Sequence, residues 1–104
     1  MTFKEKVKTY LSDKLVGQST HSINEFQMLP DKLCFNVDDK FIVWVYSTID
    51  SEENLLPDKI DIQTFDNFIA KEYSNYTALL LIVITNENNE FRQGLLHENL
   101  KELY

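Results

Sequence analysis

Sixteen residues constrain this chain most: Leu33-Cys-Phe-Asn-Val-Asp-Asp-Lys-Phe-Ile-Val-Trp-Val-Tyr-Ser-Thr48. They read as two β-strands joined by a tight turn at Asp38-Asp39. With those two residues as the loop, Val37 faces Lys40, Phe35 faces Ile42 and Leu33 faces Trp44. Directly opposed residues share a sheet face. Leu33, Phe35, Val37, Ile42, Trp44 and Tyr46 are therefore expected on one side, and Cys34, Asn36, Phe41, Val43 and Val45 on the other. The first strand alternates apolar and polar residues, whereas the second is apolar on both faces, as a central strand is. A slip of one residue would exchange these faces.

A helix precedes the hairpin. Thr2 and Glu5 fit a capping box, and Phe3, Val7, Tyr10, Leu11 and Leu15 recur at helical spacing. Gly17 stands where a left-handed C-terminal cap would fall, and Lys4, Lys6, Lys8 and Lys14 cover the other face. Gln18 to Ser22 is a polar connector, Ile23 to Leu29 a short edge strand, and Pro30 its end.

Beyond the hairpin, Asp50 to Asp58 is an acidic loop, with Leu55-Leu56 folding back towards the core. Ile60 and Ile62 alternate like a strand, and a helix is expected from about Phe65 to Tyr73 with Thr64 as its cap. The unbroken apolar run within Thr77 to Thr85 predicts a fully buried strand. Asn86 to Asn89 is a turn leading to a short strand through Phe91. After Gly94, the spacing of Leu96, Leu100 and Leu103 predicts a closing helix that carries His97. The order α-β-β-β-α-β-(β)-α implies a single α+β domain over residues 1–104, with helices flanking a mainly antiparallel sheet.

Composition narrows function mostly by exclusion. The chain is 43% hydrophobic and 12% aromatic, which argues against disorder. Its 17 Asp and Glu against 10 Lys and Arg give a formal charge of −7, poorly suited to direct contact with a phosphate backbone. The longest apolar run is Ala78 to Ile84, far short of a membrane span, and the N-terminus lacks the apolar core of a signal segment. The single Cys34 forms no internal disulfide and reads as a buried thiol, so a cytoplasmic protein is expected.

Catalytic groups are sparse. Gly17 and Gly94 sit in no phosphate-cradling loop, and His21 and His97 are far apart in sequence. No Cys/His spacing suggests zinc, so no catalytic residue, metal site or cofactor is assigned, and the chain is expected not to be an enzyme.

The order α-β-β-β-α-β, with Pro30-Asp31 before one strand, resembles the PD-(D/E)xK restriction-endonuclease fold. In that family a Pro-Asp begins one strand and an acid-x-Lys follows near the end of the next. The carboxylates hold Mg²⁺ and the lysine assists attack by water. Here the acid-x-Lys positions read Trp44-Val45-Tyr46, and Asp38-Asp39-Lys40 lies in the turn. The resemblance implies a degenerate relative without activity. The full element order and low pI are also similar to the small acidic chaperones of type III secretion, which implies a homodimer that binds an extended effector segment along apolar grooves.

Charge is the remaining signal. Asp50, Glu52, Glu53, Asp58, Asp61, Asp66 and Glu72 stand against Lys59 and Lys71, so this stretch holds −5 of the −7. A concentrated negative surface speeds association with a cationic partner by about one to three orders of magnitude. The leading expectation is a small acidic protein-binding module: an immunity protein, antitoxin or anti-defence inhibitor. Its partner would be a basic nuclease or other nucleic-acid-binding protein, met through Asp50, Glu52, Glu53, Asp58 and Asp61. Tyr46, Tyr73 and Tyr76 would serve as aromatic anchors if exposed.

Overall fold

Two strands with apolar runs, Phe41–Ile49 (β3) and Thr77–Thr85 (β4), lie side by side at the centre of the sheet and run parallel. The computed structural model describes residues 2–16, 22–27, 29, 31–49 and 55–104. Around the central pair, the sheet adds Ile23–Phe26 (β1), Leu33–Val37 (β2) and Phe91–His97 (β5), in the spatial order β1-β2-β3-β4-β5. The three other pairings are antiparallel, so the sheet is mixed but mainly antiparallel and the class is α+β.

Both faces of the central strands are covered, which is why their sequences do not alternate in polarity. Helix α1 (Phe3–Leu11) buries Val7 and Leu11 against Phe35, Val37, Val43, Val45, Leu79, Leu81 and Val83. Helix α2 (Lys59–Glu72) buries Ile62, Phe65 and Ile69 against Cys34, Ile42, Trp44, Leu80 and Ile82. Odd positions of β3 and β4 thus serve one helix and even positions the other. Trp44 is 6% exposed, its ring 5.5 Å from that of Phe65. The Trp44 face is therefore core, covered by this chain's own α2. Truncating a ring such as Phe65 to alanine would cost about 3–5 kcal/mol.

The hairpin forms, but its register differs by one residue from the expectation. Val37 pairs with Phe41, Phe35 with Val43 and Leu33 with Val45. Leu33, Phe35 and Val37 therefore share the α1 side with Phe41, Val43 and Val45, while Ile42 and Trp44 face α2 with Cys34. The cause lies in the turn. Asp38 and Asp39 both adopt left-handed backbone (φ 56° and 55°), which aspartate tolerates better than most residues. The Lys40 N–H donates to the Val37 carbonyl at 3.0 Å, and the Lys40 carbonyl accepts from the Thr77 N–H on β4 at 2.8 Å. Lys40 thereby joins the loop. Asn36 clasps it, accepting from the Asp39 N–H at 3.0 Å through Oδ1.

Helix α1 starts as expected, with Thr2 Oγ1 accepting from the Glu5 N–H at 3.2 Å, and it ends in a π-helical turn over Ser12–Val16. Lys4 of its charged face meets Glu25 of β1 at 3.0 Å, an exposed pair contributing roughly 0–1 kcal/mol. The expected cap at Gly17 and the connector residues through His21 lie outside the described residues.

Two further boundaries are corrected. Helix α2 begins at Lys59, not near Phe65, because Asp58 rather than Thr64 is its N-cap. No closing α-helix is present among the described residues. Leu96 and His97 belong to β5, and only Leu100–Leu103 turn, as a single 3-10 turn. Leu95 and Leu96 explain the difference: adjacent in a strand, they feed opposite cores.

Candidate functional site

Of the five acids expected to meet a partner, Asp58 and Asp61 lie at the start of α2. Asp58 has extended backbone and its Oδ1 accepts from the Ile60 N–H at 2.8 Å, satisfying one of the helix's orphan donors. Its carbonyl accepts from the Ile62 N–H at 3.0 Å. Asp61 lies in the first turn and is exposed, where the helix dipole favours its carboxylate. Ile60 stands between them in sequence and is 71% exposed. Asp50, Glu52 and Glu53 lie outside the described residues. The structure thus brings Asp58 and Asp61 together on one helical turn and gives Asp58 a structural duty as well.

The tyrosines considered as anchors are half-buried. Tyr73 meets Phe26 edge-on at 5.1 Å and Tyr76 at 6.0 Å, and Tyr46 stands edge-on to Trp44 at 6.1 Å. Their rings are committed to packing in the α2-side core.

The nuclease-like positions assemble at the start of β2. Asp31 is exposed, and the Lys32 ammonium 3.2 Å away holds its carboxyl below the usual carboxylate range. The same ammonium sits 4.9 Å from the centre of the Trp44 ring, a cation–π contact. Across the ladder, Trp44 pairs with Cys34, whose thiol is buried and pushed up to about 12 by desolvation. A magnesium site needs several converging oxygen ligands. Here one carboxylate meets an indole, a protonated thiol and an ammonium, so these residues do not fit the metal of that family. Among the described residues, no group of three or more His, Cys, Asp or Glu is placed to hold a metal ion.

A feature absent from the sequence reading is a cleft of about 620 Å³ between the start of α2 and β5. Its floor is Ile82 and Leu95, cross-strand partners on β4 and β5. Leu55, Leu56 and Pro57 form a wall, and Lys59 and His97 supply the polar groups. Leu55 and Leu56, expected to fold back towards the core, line this cleft instead, and Leu56 is 40% exposed. His97 was expected on a helix, and its position on β5 is what carries it to this cleft. The sequence signal was weak: Leu95 and His97 are two apart, a strand period, inside a stretch that also satisfies helical spacing.

Among the described residues, no helix is long and apolar enough to cross a membrane. Comparison with protein-family models, with curated proteins and with solved structures finds no match to this chain.

Proposed function

We propose that this chain is a non-catalytic protein-binding module that engages a basic, nucleic-acid-handling partner through the surface at the start of α2, in the manner of an immunity protein, antitoxin or anti-defence inhibitor. The observation that carries this reading is Ile60, 71% exposed on a helical turn that also bears Asp58 and Asp61. Interface anchors are apolar groups ringed by polar ones, and carboxylates around such an anchor steer a cationic surface onto it. Asp50, Glu52 and Glu53 add negative charge in the adjoining segment and act mainly on the association rate. Affinity capture with wild-type, Ile60→Glu and Asp61→Lys baits at low and high salt tests the reading. Salt-sensitive capture of one basic nuclease or nucleic-acid-binding protein, lost with either variant, supports it. Equal capture by all three baits would place any binding elsewhere.

A second reading, a catalytically silent relative of the PD-(D/E)xK nucleases, is favoured by the observed order α1-β1-β2-β3-α2-β4. On this reading the fold's nucleic-acid chemistry is gone and Trp44, Cys34 and Lys32 have taken over its site as packing. Mg²⁺-dependent cleavage by the wild type that Asp31→Ala abolishes would overturn both readings.

A further inference from the structure

We infer that the cleft between the start of α2 and β5 binds a small amphipathic carboxylate, of the class of medium-chain fatty acids. The cleft shares the start of α2 with the proposed partner surface, but Ile60 and Asp61 do not line it. The cleft lies on the α2 side of the sheet, beside the stripe of Ile62, Phe65 and Ile69 and the 3-10 turn at Leu100. Beside Ile82 and Leu95, the segment Leu55-Leu56-Pro57 forms a wall. At about 620 Å³ the space lies within the range of small-molecule sites, which are mostly apolar with a few converging polar groups.

The polar groups decide the class of ligand. Among the described lining residues, Lys59 and His97 carry the ionisable side chains. An ammonium and an imidazole are hydrogen-bond donors suited to an anionic head group. Leu55, Leu56 and Leu95 suit an unbranched apolar tail. A neutral hydrocarbon would leave the donors unused, and a cation would meet Lys59.

The test is a titration of the ¹⁵N-labelled full chain with octanoate, decanoate and decanol, each below its aggregation limit, followed by amide shifts. The expected result is saturable shifts confined to residues 55, 56, 58–60, 82 and 95–97. Each added methylene should tighten carboxylate binding by about fourfold, so decanoate should bind roughly fifteen-fold tighter than octanoate. Lys59→Met, at an exposed helix position that leaves the core intact, should weaken decanoate by about tenfold and leave decanol unchanged. Leu95→Trp should block both ligands by filling the cleft. Shifts that do not saturate or that spread through the core would overturn the inference. So would decanol binding as tightly as decanoate, or decanoate binding that ignores Lys59→Met.

Discussion

The Tyr10 hydroxyl donates to the Gly94 carbonyl at 2.9 Å, joining α1 to β5 across 84 residues of sequence. The ring lies so close that a β-carbon on Gly94 would stand 2.7 Å from Tyr10 Cζ. Glycine is required here for close approach. Phe91 holds the ring from the side, with centroids 5.7 Å apart. Gly94→Ala should therefore lower the unfolding free energy by about 1–3 kcal/mol, and Tyr10→Phe by about 0.5–1.5 kcal/mol. Urea denaturation of both single variants and the double variant checks this. The two changes should be strongly non-additive, because they act on one contact.

Cys34 sets a limit at alkaline pH. Burial raises its folded pKa from 9.0 to about 12, so the folded state holds the proton where the unfolded chain releases it. Stability from this group is fully present below pH 9.0 and is lost as pH rises towards about 12. The slope should reach at most about 1.4 kcal/mol per pH unit. Tyr10, also raised by burial, acts in the same direction. Denaturation midpoints of wild type and Cys34→Ala, measured at neutral pH and upward from pH 9, should converge. The thiol should also resist alkylation until the chain unfolds.

Asp58 separates capping from charge. Asp58→Ala removes the bond to the Ile60 N–H and should cost about 1 kcal/mol of stability. Asp58→Asn keeps an acceptor and should leave stability nearly unchanged while removing the charge. Thermal denaturation distinguishes the two. Only the charge should matter to a salt-sensitive partner.

The turn offers a change of opposite sign. At Asp39, with φ 55°, glycine relieves a left-handed conformation, and Asp39→Gly should raise stability by about 0.5 kcal/mol. Asp39→Val, branched at the β-carbon, should lower it by about 1–2 kcal/mol. A urea series on both variants reads the signs directly.

Elements governed by burial were legible in the sequence. The Val7–Leu11 stripe and the Thr77–Thr85 strand follow from apolar pattern alone, because those residues face core on every apolar side. What misled was local competition. Ile60 and Ile62 imitate strand alternation, yet Ile62 is buried and Ile60 projects into solvent, so the helix starts six residues before Phe65. The stronger signal was Asp58 with Asp61 three residues on, an acidic helix start behind Pro57. The hairpin register turned on Lys40 joining the loop, which side-chain bonds from Asn36 decide and polarity does not show. Of the acidic site, Asp58 and Asp61 were legible as charges but not as a cap and a first turn. The cleft is lined from the start of α2 and from β5, segments far apart in sequence, and has no local signature.

The sheet's order, identical to the order of the strands along the chain, has a kinetic meaning. The antiparallel pairs join neighbours: Val37 meets Phe41, and Thr85 meets Phe91. The parallel seam differs, since Phe41 must find Thr77, 36 residues further on. Hairpins form in about 1–10 μs, whereas distant pairings carry a loop-closure entropy before any contact repays it. The strands thus fall into two locally paired groups, a meander and a hairpin, joined in the sheet through the seam between β3 and β4. A defect along the seam itself would leave both halves formed and unable to join.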